Sequence, residues 1–296
     1  MQKSRIQWLA LGDQNTSFYH HAVQDHAARN NINVLYTEAG ETLTEPSAIR
    51  KEAVDYFQQF LQTEPTRSTP ISVDELQFLL RYRCSQQETS LLISPVTPSE
   101  ILQSLKALPN GKAPGPDGYT KEFFIAAWSV VGKDFITAIK SFFLYGFLPT
   151  GVNSTILALI PKKNPAQTMR DYRSISCCNL IYKVISKILA NRLKTILLVA
   201  IEPNQSAFIK GRLLSENVLL DNELVNGYHL PSISDRCTIK LDISKAFDTV
   251  KWSFITAVLP AMGLPCQFIR WIYLCVSTAS FSVAINGELE GFFSSA

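Results

Sequence analysis

In this 296-residue chain the residues best suited to chemistry are oxygen ligands and cations rather than histidines or thiols. The first is Asp242. In the run Thr238 to Ser244, strict alternation predicts a half-buried strand with Ile239, Leu241 and Ile243 on one face. Lys240 and Asp242 fall on the other face, close to the strand's end. Aspartate is a poor strand former, so its presence there needs a reason. Such a carboxylate can act as a hard oxygen ligand, or pair with Lys240 or Lys245; spacing alone favours the pairing. The second feature is a basic stretch. Between Thr155 and Ser215 stand ten Lys and Arg against Asp171 and Glu202, a local excess of eight positive charges that leaves the rest of the chain at minus five. A field of that sign attracts polyphosphates and nucleic-acid backbones, although a solvated basic face has the same composition.

Other chemistries are excluded. Gly111-Lys112 invites a phosphate-loop reading, but Ala113 stands where Ser or Thr is needed and Lys106 where the motif needs Gly. The six cysteines form no CxxC pair, and His20, His21, His26 and His229 make no plausible metal spacing. No eighteen apolar residues run together and the N-terminus has no signal-peptide core, so a soluble intracellular protein without membrane contact is expected.

Periodicity and turn signals predict the elements that must position these groups, and divide the chain into three parts. Residues 1–90 read as a mostly helical extension, with helices at 16–28 and 47–62 around a short strand at 32–37. Residues 91–235 begin with a helix capped by Thr97, with Pro98 and Glu100 in its first turn, and a Pro/Gly loop at 111–118 follows. Helices at 121–128 and 134–145, interrupted at Gly132, come next. Thr155 to Ile160 then reads as a strand and Tyr172 to Cys178 as its return, so that one hairpin carries Lys162 and Arg173. A long amphipathic helix from Leu180 to Ala200 buries Val184, Ile185, Ile188, Leu189, Leu193, Ile196 and Leu197. The third part, 236–296, contains the Asp242 strand, helices at 252–262 and 267–278, and a hairpin turning at Asn286-Gly287. The fold class is α/β (α+β) and helix-rich.

Several phrases in register resemble the reverse transcriptases of LINE-type (non-LTR) retrotransposons, those of plants in particular. They are Trp8 to His20, the Gly111 to Gly118 loop, Leu159-Ile160-Pro161-Lys162, Asp171 to Ser176, Gln205 to Arg212 and Leu241 to Asp248. The resemblance spans essentially the whole chain. It implies the right-hand polymerase architecture: an N-terminal extension, then fingers, then the start of a palm. It also implies RNA-directed DNA polymerase chemistry, with an RNA template, a DNA primer, deoxynucleotides and two Mg²⁺ ions clamped by carboxylates.

The site residues follow from the same resemblance. Asp242 matches the first metal-binding and catalytic aspartate, with the Ile243 carbonyl as a further metal ligand. Phe247 matches the aromatic beneath the nucleotide sugar, and Lys162 and Arg173 match the cations that grip the triphosphate. Gln205, Phe208, Lys210 and Arg212 match a segment that tracks the template. Ser174 departs from the family, which usually has proline after this arginine, so a looser hold on Arg173 is expected. The family's remaining essential carboxylates form an adjacent Asp pair on a later hairpin, and no Asp-Asp occurs in this sequence. The expectation is therefore a truncated domain, inactive by itself; the alternative is a non-catalytic nucleic-acid-binding module derived from the fingers.

Overall fold

A computed structural model describes residues 31–62, 71–163, 165–206, 209, 211–226, 228, 237, 239, 241 and 250–294. It shows a mixed α/β fold of helices and a four-stranded sheet. A short hairpin comes first, β1 (Leu35–Tyr36) with β2 (Thr42–Leu43), followed by helix α1 (Pro46–Gln62). Next are α2 (Val73–Leu79) and α3 (Gln86–Leu92), each started by a reciprocal capping box, Ser72 with Glu75 and Ser85 with Glu88. Helix α4 (Pro98–Lys106) begins at Thr97, whose hydroxyl accepts from the Glu100 N–H at 3.1 Å. Helices α5 (Lys121–Ala126) and α6 (Trp128–Tyr145) follow.

Helix α6 runs through Gly132, where an interruption was expected. A glycine in a helix costs about 1 kcal/mol relative to alanine, but here the missing side chain makes room for Trp128. A Cβ at Gly132 would lie 2.9 Å from the indole, so packing outweighs propensity.

The sheet has the order β4-β3-β5-β6, made of β3 (Ser154–Pro161), β4 (Tyr172–Cys178), β5 (Ser280–Ile285) and β6 (Glu288–Ser294). β3 pairs antiparallel with β4 and parallel with β5, while β5 and β6 form the hairpin closed by Asn286-Gly287. Both turn residues have positive φ, 50° and 87°, as a two-residue turn matched to strand twist requires. Between β4 and β5 come α7 (Leu180–Ala200), α8 (Leu214–Val225), α9 (Trp252–Ala261) and α10 (Cys266–Ser277). The long helix α7 has the bounds its periodicity predicts, and Val184, Ile185 and Ile188 on its apolar stripe are fully buried.

Two hydrophobic cores result. The larger lies among α4, α6, α7, α9 and α10, around Ile101, Phe142, Ile185, Ile188 and Phe268. The smaller lies between one face of the sheet and the N-terminal elements: Leu35, Ile49, Ala53 and Phe57 meet Leu157, Met169, Val283 and Ile285. Each core combines residues from before position 90 with residues from beyond 235. Among the described residues no helix is long and apolar enough to cross a membrane.

Candidate nucleotide and nucleic-acid site

The β3–β4 hairpin is the scaffold of the site. Cross-strand pairs Ile156 with Cys177, Ala158 with Ile175, and Ile160 with Arg173 put these six residues on one face. The opposite face carries Leu157, Leu159 and Tyr172 into the smaller core. Arg173 is therefore held out on the face away from that core. Its neighbours Ile160 and Ile175 are 44% and 48% exposed, a partly apolar platform beside a guanidinium. Arg173 is exposed and forms no ion pair among the described residues.

Lys162 follows β3 directly. Its N–H donates to the Asp171 carbonyl at 2.7 Å, closing the hairpin, and its ammonium donates to the Arg170 carbonyl at 2.5 Å. The intervening loop is organised by Asp171. One of its oxygens accepts from the Gln167 and Thr168 N–H groups at 2.9 and 3.0 Å, and the other pairs with Lys163 at 2.9 Å. The Gln167 N–H, then Lys163 and the Thr168 N–H, hold this carboxyl far below the usual aspartate range.

A carboxyl whose folded pKa is depressed stabilises the loop above its unfolded value of about 4, and loses this only as pH falls through the lower folded value. The Gln167 and Thr168 amides are accordingly expected to stay protected from hydrogen exchange at about pH 4. Asp171→Ala should remove that protection at neutral pH. Release of both amides in the parent between about pH 5 and 4, as for an ordinary aspartate, would contradict the assignment.

The other cations of the basic stretch divide by role. The Arg192 side chain, only 8% exposed, clamps Glu100 through two parallel contacts of 2.9 and 2.8 Å. Arg170 pairs with Glu38 at 2.6 Å. Arg212, matched to the template-tracking segment, donates to the carbonyls of Ile201 and Gln205, both at 2.7 Å, and also to those of Glu202 and Leu198. It thereby satisfies groups that the end of α7 leaves without helical partners. The guanidinium thus ties the end of α7 to the carbonyl of Gln205, which is exposed. The field is less concentrated than the sequence count suggests, because several of its charges are neutralised or committed.

A second basic spot lies at the Pro/Gly loop. Lys183 on α7 donates to the Ala113 carbonyl at 3.1 Å. Lys121 gathers the Lys106 and Leu108 carbonyls and the Asn110 side chain. With Lys112 and Tyr119 these lysines line a cleft of about 100 Å³. The buried residue that seats the loop is Asn179, which the sequence reading does not single out. Its Oδ1 accepts from the Asp117 N–H at 3.1 Å, and its Nδ2 donates to the Gly151 carbonyl at 2.7 Å. The one local signal for it is an asparagine just before the apolar run of α7.

Asp242, Ile243, Phe247, Phe208 and Lys210 lie outside the described residues, as does the Trp8 to His20 phrase. The strand expected over Thr238 to Ser244 lies mostly outside the described residues, which include only Ile239 and Leu241 of that run. Ile239 and Leu241 are 76% and 84% exposed and neither belongs to a strand. Nor, among the described residues, do three or more His, Cys, Asp or Glu cluster so as to hold a metal.

Residues 160–296 match the family described as reverse transcriptase (RNA-dependent DNA polymerase). The chain is 31% identical over 287 residues to the transposon TX1 uncharacterized 149 kDa protein of Xenopus laevis, which covers 97% of this chain and 22% of that protein. It is 27% identical over 180 residues to the retrovirus-related Pol polyprotein from type-2 retrotransposable element R2DM of Drosophila melanogaster, 60% of this chain and 16% of the relative. A similar polyprotein, from type-1 retrotransposable element R2 of Popillia japonica, is 28% identical over 173 residues, 57% of this chain and 23% of that protein. The chain spans about a fifth of the length of the curated relatives it matches.

Proposed function

Since this chain carries a reverse transcriptase domain of the non-LTR retrotransposon type, we propose that its β3–β4 hairpin holds the triphosphate of an incoming deoxynucleotide during RNA-templated DNA synthesis. Enzymes of this family use divalent metal ions and bind a nucleic-acid template and primer. The observation that carries the proposal is the placement of Arg173: exposed, opposite Ile160 on a paired strand, and without an ion pair among the described residues. A guanidinium so placed can donate two parallel hydrogen bonds to phosphate oxygens. Lys162 adds a second charge at the end of the same hairpin, once its ammonium leaves the Arg170 carbonyl.

In this reading residues 1–90 are the extension, 91–235 the fingers and 236–296 the beginning of the palm. Asp242 and the Ile243 carbonyl would hold Mg²⁺, for which a carboxylate and a main-chain carbonyl are suitable hard oxygen donors. When bound, the metal offsets negative charge on the phosphoryl oxygens. Phe247 packs beneath the sugar and favours deoxynucleotides. Gln205, Phe208 and Lys210 follow the template strand, and Arg212 holds the Gln205 carbonyl. The sequence supplies no adjacent Asp pair, so nucleotide and template holding, rather than completed two-metal chemistry, is what we assign to these 296 residues.

Calorimetric titration of the purified chain with dGTP and MgCl₂ tests the central assignment. Charge-assisted hydrogen bonds contribute about 1.5–3 kcal/mol, so Arg173→Gln should weaken binding about tenfold or more. Parent-like affinity in that variant, at the same ionic strength and with an unchanged melting temperature, would remove the basis of the reading.

A further inference from the structure

Because β3 and β5 are parallel, the loop after β3 and the turn after β5 lie at the same end of the sheet. A single short segment joins them. Asn286, in the β5–β6 turn, accepts from the Ile32 N–H at 2.8 Å and donates back to the Ile32 carbonyl at 3.0 Å. Four residues later the Tyr36 N–H donates to the Gln167 carbonyl, inside the β3–β4 loop, at 2.8 Å. Glu38 then reaches Arg170 in that loop at 2.6 Å. Beneath this crossing Ile32, Leu35 and Met169 are buried together, with Met169 projecting from the loop itself. The segment is fixed from behind: α1 is bound to β6 through Arg50, which pairs with Glu288 at 2.8 Å and Glu290 at 3.0 Å.

We propose that residues 32–38 are a strap that sets the position of the nucleotide-gripping hairpin, with Asn286, Met169 and Glu38 as positioning residues for Lys162 and Arg173. The inference rests on the triphosphate reading of those two cations. Its physical content is preorganisation. A ten-residue loop between two strands would otherwise sample many conformations, and a ligand that grips its ends would have to order it. The strap supplies that order in advance, through main-chain hydrogen bonds that do not depend on which nucleotide arrives. It also makes part of the N-terminal extension necessary to the fingers without requiring it to contact the nucleotide.

Amide hydrogen exchange of the 296-residue chain, together with dGTP titration in MgCl₂, separates the possibilities. Asn286→Gly keeps a turn residue that tolerates positive φ and removes only the amide's grip on Ile32. Met169→Ala removes the buried anchor, and Met169→Leu conserves its volume. Asn286→Gly and Met169→Ala should each speed exchange of the Lys162 and Asp171 amides about fivefold or more. Both should weaken dGTP binding several-fold, and Met169→Leu should restore both properties. Arg173→Gln should weaken binding and leave exchange unchanged. Faster exchange without weaker binding, or no change in exchange, overturns the strap and leaves the triphosphate reading standing. Unchanged dGTP affinity in Arg173→Gln overturns that reading, and the strap's role in it, whatever the exchange shows.

Discussion

Replacing Arg192 by methionine should lower the unfolding free energy by about 3 kcal/mol, the lower end of the cost of removing one partner from a buried ion pair, because Glu100 keeps 30% of its side chain exposed. The side chain is 8% exposed and all three guanidinium nitrogens are engaged. Two of them clamp Glu100, and the third donates to the Leu92 and Ser94 carbonyls at 2.9 and 2.8 Å. The guanidinium also lies 5.9 Å from the centre of the Phe143 ring. One residue of α7 therefore fastens the end of α3, the start of α4 and the face of α6. Methionine fills much of the volume but leaves the Glu100 carboxylate and two carbonyls without their donors. Urea unfolding followed by circular dichroism should show the midpoint falling by more than about 1 M. The double variant Arg192→Met with Glu100→Leu should recover a large part of the loss, because a well-packed apolar pair is often as stable as the ion pair it replaces. A single variant indistinguishable from the parent would mean that the pair is solvated and contributes little.

Arg192 also marks the limit of local sequence information. Arg192 counts as one of ten cations in a basic stretch, and nothing local distinguishes it from Lys194, which is exposed. Its partner lies 92 residues away. Glu100 was legible as an N-terminal helix residue, but not as a carboxylate turned from its own cap to another helix. The same distinction between local and non-local information runs through the fold. The β3–β4 hairpin, α7 and the Asn286-Gly287 turn are specified by alternation, period and turn chemistry within a few residues, and they form as predicted. The parallel pairing of β3 with β5 joins strands more than a hundred residues apart and leaves no local trace. The capping boxes at Ser72 and Ser85 stand in the sequence as Ser-x-x-Glu both times, yet the seven-residue helices they start are too short to show a helical period.

The candidate site divides in the same way. Lys162 and Arg173 could be placed on one hairpin from sequence. Their strap could not, because it is assembled from Ile32, Tyr36, Met169 and Asn286, apolar, aromatic and amide residues with no chemical signature of their own. The commitment of Arg212 to carbonyls at the end of α7 was equally hidden, since in sequence a capping arginine and a phosphate-binding arginine look alike.

The second large effect is expected at Gly115, where alanine should destabilise the fold by about 3 kcal/mol or unseat the 111–118 loop. A Cβ there would lie 2.3 Å from the Asn179 Oδ1, 2.4 Å from the Asn179 nitrogen and 2.5 Å from the Cys178 carbonyl carbon. The first neighbour belongs to a side chain and could move. The other two are main chain at the junction of β4 and α7, fixed by the strand pairing on one side and by the helix on the other. Only glycine lets the loop approach so closely. The distinction yields a sharp test. Asn179→Ala removes the hydrogen bonds to the Asp117 N–H and the Gly151 carbonyl, and should cost about 1–3 kcal/mol by itself. It also removes the movable neighbour, so Gly115→Ala would be tolerated in the Asn179→Ala background if that oxygen were the obstacle. Because the main chain is the obstacle, the double variant should be no more stable than Gly115→Ala alone when the two are compared by urea midpoint. The loop supports the cleft lined by Lys112, Lys121 and Lys183, so a variant that folds with the loop displaced should also lose the Lys183 contact to Ala113. Faster exchange of the Asp117 amide would report that displacement directly, and a parent-like rate in a folded Gly115→Ala protein would show that the junction yields where its geometry says it cannot.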